Sequence, residues 1–297
     1  MMEKKSAQLC LGTVQLGMEY GIKNSLGRRP VREEAFSILD AALSVGIETF
    51  DTASSYGVAE DILGAFHLAE KGGKIVSKLR AGCTSRGEVV GEVETSLERL
   101  HARRISAYLL HDAGDMGRIF IMEGLRQAQE DGLIESIGVS VYTPEEALLS
   151  ARDQRIDCVQ VPYNVLDQRL DQCGFFETAK ENGKAIYVRS VFLQGLLLMD
   201  PETAEARVVG AGQYVEQFRR ISTDYGYTAS EAAFLYAVLH PYVDYVVFGV
   251  DTADEVSENA AIMDRAETAK PLCDALQTAF QDVPQEVLVP MLWRSKT

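Results

Sequence analysis

The chain has 297 residues, 46% hydrophobic and 25% charged, which is enough to bury the core of one large α/β barrel or of two ordinary domains. Its net charge of -15 argues against nucleic acid and anionic membrane as partners, because both attract basic surface. Five scattered cysteines (Cys10, Cys83, Cys158, Cys173, Cys273) contain no C-x-x-C pair, so neither a zinc site nor a disulfide framework is expected, and a reducing cytoplasm is the expected home.

The N-terminal Lys4-Lys5 is followed by an apolar stretch, residues 6–11, too short and interrupted for a signal-peptide core. No window approaches the roughly 18 apolar residues of a membrane-spanning helix. Residues 9–13, ending in Gly12, read as a first strand, and Cys10 within it reads as a small buried hydrophobe, as does Cys158 later. Residues 18–29, with Gly21, Asn24, Ser25 and Gly27 before Pro30, read as a polar loop. Residues 32–45 place Ala35, Phe36, Leu39, Ala42 and Leu43 on one helical face, with Gly46 as the cap.

The unit then repeats. A strand ends at Asp51 and a helix spans about 57–71, closed by Gly72-Gly73. A strand ends at Lys78, before a helix carrying Val89, Val93, Leu97 and Leu100. A strand ends at His111, before a helix over about 115–131 closed by Gly132. A strand ends at Ser140, and Thr143 caps a helix that Pro144 opens. Strands over 158–161 and 185–188 flank a helix near 174–182. Helices near 214–225 and 230–240 precede a strand over 245–249, a helix capped by Thr252 and a last helix over 269–280. Residues 200–213 form the one long insertion, and 283–293 could cover a pocket, close the barrel base or pair subunits.

Eight apolar strands, each followed by an amphipathic helix, predict a single-domain (β/α)8 TIM barrel over residues 1–297. The rival Rossmann sheet lacks its glycine fingerprint: Gly210-Ala211-Gly212 has no third glycine and follows no strand.

Asp51, Tyr56, Lys78 and His111 fall at or just beyond strand C-termini, where barrel enzymes carry their chemistry. Taken singly, they read as a helix cap, a packing tyrosine, a rim lysine and a structural histidine. Together they make a site. A lysine ending an apolar strand needs a counter-charge, which Asp51 supplies. The lysine in turn stabilises a nearby phenolate, lowering the pKa of Tyr56 toward neutrality and fitting it for general acid/base work on a carbonyl or alcohol oxygen. His111 would hydrogen-bond the same oxygen.

The segment Asp51-Thr52-Ala53-Ser54-Ser55-Tyr56-Gly57, with Lys78, His111, Leu11-Gly12-Thr13 and Glu258-Asn259, resembles the aldo-keto reductase superfamily over residues 9–263. The resemblance implies an NAD(P)-dependent oxidoreductase in which Tyr56 handles the proton, Lys78 held by Asp51 tunes it, and His111 orients a small carbonyl substrate. It implies cofactor contacts from Gly12 and Thr13, and places Ser140 and Gln160 at the nicotinamide carboxamide, although Val141 stands where an asparagine is usual. Arg189 falls where members place an aromatic to stack on the nicotinamide, and Ser190, Gln194, Gly195 and Leu196 fall along the pyrophosphate. Gly249 and Glu255, ahead of Glu258 and Asn259, replace the family's basic grip on a 2'-phosphate. NAD or NADP is therefore expected, with NADH favoured, unless Arg207 or Arg265 restores the grip.

No metal is expected. The loops 18–29, 112–117, 163–171 and 200–213 are the candidate substrate determinants, and their polar residues, such as Asn24, Ser25, Asp112, Asn164, Asp167, Gln168 and Arg169, suggest a sugar-like carbonyl. Segments 16–21 and 188–195 resemble bacterial members linked to polysaccharide or deoxysugar metabolism. Two other readings stay open: a nicotinamide-binding regulatory module with little turnover, and a barrel aldolase using Lys78 as a Schiff-base nucleophile.

Overall fold

Eight short, mostly apolar runs pair in parallel, each with the next in chain order, and the last returns to the first: β1 (Gln8–Gly12), β2 (Thr49–Asp51), β3 (Lys74–Leu79), β4 (Ile105–Leu110), β5 (Ile134–Ser140), β6 (Cys158–Pro162), β7 (Ala185–Arg189) and β8 (Tyr245–Gly249). The computed structural model describes residues 6–20 and 27–295. The barrel is closed, with helices in the connections, as the sequence pattern predicts. Among the described residues no helix is long and apolar enough to cross a membrane.

The two-residue period of the strands decides what lies inside. One set of alternate residues, including Leu11, Phe50, Ile75, Val139, Val188 and Phe248, packs outward into the main core with the helices. The other set builds a separate apolar cluster of Cys10, Val76, Ala107, Leu109, Cys158, Tyr187 and Val247 that plugs the barrel. Two residues further along the same strand face come Gly12, Lys78, His111, Gln160, Arg189 and Gly249. Strand register keeps this second layer level: Gly12 pairs with both Asp51 and Gly249, and Ser140 with Gln160. The site is therefore a polar layer on an apolar plug.

Several element bounds differ from those read in the sequence. The helix expected over 57–71 spans only Ala59–Ala65, because His67 turns into the left-handed region (φ 57°) well before Gly72. The helix expected over 115–131 is two pieces, Ala113–Gly117 and Ile119–Glu130, separated by an extended Arg118. Residues 200–213 are largely helical: Asp200 accepts from Thr203 N and caps Pro201–Arg207, and the next helix begins at Gly212. The C-terminal segment lies against this insertion, with Val209 N donating to Arg294 O at 3.0 Å. The cap by Thr143 and the helix Pro144–Arg152 stand as predicted, with Glu146 completing a capping box.

Candidate active site

Lys78 is fully buried, and three acceptors surround its ammonium: Asp51 Oδ1 at 2.7 Å, Asp51 Oδ2 at 2.8 Å and the Thr52 carbonyl at 2.8 Å. Burial, the largest single influence, lowers the lysine pKa, but the charges of Asp51 and Tyr56 and the hydrogen bonds to them together outweigh it, and the value is raised. Asp51 is held in turn from its backbone, because Thr13 donates to its carbonyl from both N (2.9 Å) and Oγ1 (3.0 Å). Gln160 Nε2 donates to Asp51 Oδ1 at 2.6 Å, and Ser140 Oγ lies 3.5 Å from Gln160 Oε1. Gln160 thus braces the carboxylate from within the barrel.

Tyr56 sits on the turn that follows β2, its ring centroid 5.0 Å from Lys78 Nζ. The turn has no room to move inward: a Cβ on Gly17 would stand 1.8 Å from the Tyr56 carbonyl oxygen, and Gly57 is left-handed (φ 56°) against Gly17. Burial raises the Tyr56 pKa and the Lys78 charge only partly opposes it, so the net shift is upward. This corrects the expected phenolate: in the free protein Tyr56 is a phenol, ready to give a proton. His111 packs edge-on to Tyr56 with centroids 5.9 Å apart, and burial, helped by the Lys78 charge, lowers its pKa to about 4. The imidazole is neutral at neutral pH. Its Nδ1 lies 3.2 Å from Ser55 Oγ, and if it accepts there, Nε2–H is left as a donor.

Asp51, Tyr56 and His111 open on a cavity of about 1080 Å³ that runs from the barrel mouth toward the helix after β8. This exceeds the roughly 300–1,000 Å³ of ordinary small-molecule sites, giving room for an extended ligand beside a small one. Gly12, Thr13, Ser140 and Arg189 line its inner end, and Ser190, Gln194 and Gly195 its wall. Gly249, Glu255, Glu258 and Asn259 line the outer end. Gln160 and Leu196, expected at the cofactor, are fully buried and do not reach the cavity surface, and neither does Lys78. The wall segment holds three non-glycine residues left-handed, Ser190 (φ 63°), Leu193 (φ 48°) and Gln194 (φ 53°), followed by Gly195 (φ 94°). Strain of this kind is kept where backbone N–H groups must be aimed, as in an anion nest. Gln15, also on the wall, has a buried Oε1 without a protein donor. These features fit a nicotinamide dinucleotide.

The outer end is mainly acidic, with Glu231, Asp251, Glu255 and Glu258 facing Arg219 and Arg265. Glu255 turns back to accept from Asp251 N at 2.7 Å. Arg265 lies over Tyr227, 4.0 Å from the ring centroid, and pairs with Glu231 at 2.8 Å. Arg207 does not line the cavity, whereas Arg219, which the sequence reading missed, does.

The loop expectations fare less well. Residues 112–117, 163–171 and 200–213 contribute nothing to the cavity wall. Their polar side chains are occupied locally: Asp112 caps the turn at Gly114, Asn164 accepts from Leu166 N and Asp167 N, and Arg169 pairs with Asp167. Among the described residues of 18–29 only Tyr20 reaches the cavity, and Gly21, Asn24 and Ser25 lie outside the described residues. The mouth is instead phenolic, with Tyr20 and Tyr142 beside Tyr56.

The family model for the aldo/keto reductase family matches residues 8–271. D-threo-aldose 1-dehydrogenase of a Pseudomonas species is 24% identical over 248 residues, 70% of this chain and 75% of that protein. L-glyceraldehyde 3-phosphate reductase of Escherichia coli is 24% identical over 203 residues, 61% of this chain and 59% of that protein. Among solved structures, an aldo-keto reductase from Bacillus halodurans in its holo form superposes with a TM-score of 0.75 at 21% identity, covering 96% of this chain and all of that one (100%).

Proposed function

The chain belongs to the aldo/keto reductase family, NAD(P)-dependent enzymes acting on carbonyl compounds, and on that premise we propose that it interconverts a small polar, sugar-like carbonyl and its alcohol with Tyr56 as the proton donor and acceptor. A dinucleotide bound in the cavity supplies or takes up the hydride. Gly12, Thr13, Ser190, Gln194, Gly195 and Asn259 would hold it. In the reductive direction Tyr56 gives its phenolic proton to the carbonyl oxygen. The Lys78 ammonium, fixed by Asp51, stabilises the phenolate left behind. His111 donates from Nε2 to the same oxygen and sets its orientation. The raised pKa keeps Tyr56 protonated until a substrate arrives.

The observation that carries this reading is the buried Lys78–Asp51 pair beside a cavity-facing tyrosine. The same pair counts against Schiff-base chemistry, since an ammonium with a raised pKa has no lone pair to attack a carbonyl. The acids of the outer cavity, with Arg265 already paired, favour NADH over NADPH. Cysteines without disulfide bonds suit a reducing cytoplasm, and the acidic chain suits neither nucleic acid nor membrane.

Fluorescence titration with NADH and NADPH, followed by turnover of sugar aldehydes, tests the reading. NADH binding about tenfold tighter than NADPH, a difference of about 1.4 kcal/mol, with turnover lowered about 10²–10⁴-fold in Tyr56→Phe, is expected. Tighter NADPH binding would overturn the cofactor preference and point to Arg219. Tight binding without turnover would favour the regulatory module, and borohydride trapping of substrate on Lys78 without dinucleotide would favour the aldolase.

A further inference from the structure

Arg189 ends β7 on the inward face, two residues beyond Tyr187 of the apolar plug. Its guanidinium carbon lies 4.5 Å from the Tyr142 ring centroid. Nη2 donates to Val141 O at 3.0 Å and Nη1 reaches Ser190 Oγ at 3.4 Å. A guanidinium carries five N–H donors, and contacts among the described residues engage two of them.

No carboxylate among the described residues forms an ion pair with Arg189. Asp51, the acid closest to the chemistry, is engaged by Lys78 and Gln160. A partly buried cation without a counter-ion is costly, and it is unusual in a chain with net charge -15. The group is also held in one geometry by an aromatic face and a carbonyl, which is how a recognition fork is prepared rather than how a rim charge is left. It lines the same cavity as Tyr56 and His111, and its charge acts to lower the pKa of both. The hydroxyl-bearing Tyr20 and Tyr142 stand at the rim, 40% and 45% exposed.

In place of the nicotinamide stacking that the resemblance implies for Arg189, whose guanidinium lies over Tyr142, we propose that Arg189 binds an oxyanion, carboxylate or phosphate, carried by the carbonyl substrate, so that the enzyme selects anionic aldehydes over neutral ones of similar size. The inference rests on the reductase reading above and narrows its substrate class. An anion anchored by two or more of these donors would fix the reacting carbonyl relative to Tyr56, which is worth rate as well as affinity.

The test compares kcat/KM with NADH for glyceraldehyde 3-phosphate against glyceraldehyde, and for succinic semialdehyde against butanal, in the wild type, Arg189→Gln and Arg189→Lys. The wild type should prefer at least one anionic member by about ten- to a hundredfold, the scale of a charge-assisted hydrogen bond, through both KM and kcat. The pair with the larger ratio separates phosphate from carboxylate. Arg189→Gln should bring that ratio close to one, and Arg189→Lys should keep part of it. Inorganic phosphate or acetate should inhibit competitively against the aldehyde. A wild-type ratio near one, a ratio unchanged in Arg189→Gln, or inhibition competitive only against NADH would overturn the proposal, the last by assigning Arg189 to the dinucleotide. Absence of turnover on all four aldehydes would instead remove the reductase reading beneath it.

Discussion

Two clusters in this molecule share tyrosine, histidine and aspartate side chains. At the barrel mouth Tyr56 and His111 stand over Asp51 and Lys78. Among the helices outside the barrel, Tyr163, Tyr236 and His240 gather around Asp171 and Gln277. In the second cluster Asp171 accepts from Tyr163 at 3.0 Å, from His240 Nε2 at 3.1 Å and from Gln277 Nε2 at 3.3 Å. The Tyr163 and Tyr236 hydroxyls lie 3.2 Å apart, and Tyr236 reaches Gln277. None of these five residues lines the cavity. Their hydrogen-bonding capacity ends on protein, whereas Tyr56 and His111, each with one protein partner (Lys78 and Ser55), also line the open cavity. Residue type therefore does not make a site chemical; an incomplete set of partners facing a cavity does.

Paired substitutions break the comparison most sharply. Tyr56→Phe should lower the reduction rate about 10²–10⁴-fold with little change in melting temperature. Tyr163→Phe should leave kcat/KM within about twofold yet lower stability by about 1–3 kcal/mol, because it strands buried polar partners. Steady-state kinetics and urea unfolding on both variants decide the matter, and the opposite pattern would reverse the assignment of the two clusters.

Lys78→Met should abolish activity and also cost about 3–5 kcal/mol, since it leaves the Asp51 carboxylate buried and unpaired. Adding Asp51→Asn should recover much of that stability and none of the activity. Recovery of turnover in the double variant would mean that Lys78 acts only as a structural counter-charge.

The smallest effect concerns pH. His111 has a folded-state pKa of about 4 against an ordinary 6.5, so between those values the unfolded chain binds a proton that the folded one refuses. Its contribution to stability should be complete above pH 6.5 and should fall as the pH drops toward 4. Urea midpoints measured across that range should fall less steeply in His111→Asn. An unchanged slope would show that His111 is charged in the folded protein.

The barrel was legible because short continuous apolar runs alternate with amphipathic helical segments eight times, and glycines or caps such as Thr143 punctuate the chain. Asp51, Lys78 and His111 were legible because each breaks an apolar run at its end. The helix after Tyr56 was read too long because its stop is the left-handed His67, a residue type that gives no such signal. That loops 112–117, 163–171 and 200–213 stay off the cavity was not legible, because polar composition does not reveal whether a side chain faces a ligand or, like Asn164, holds its own loop together. Gln160 was read as a cofactor contact, but its amide is turned onto Asp51, and only the folded register from β2 across to β6 brings them together. Tyr142 under Arg189 and Tyr227 under Arg265 likewise depend on contacts between distant segments.

The apolar plug below Lys78 contains two thiols, Cys10 and Cys158, and burial pushes both upward, Cys158 to about 12. Alkylating reagents need a thiolate and a path to it, and the closed barrel withholds both. Labelling of Cys10 and Cys158 must therefore wait for the strand wall to part, while the half-buried Cys173 and Cys273 outside it can react without that event. The protein carries a built-in clock for local unfolding, seated directly beneath its chemistry.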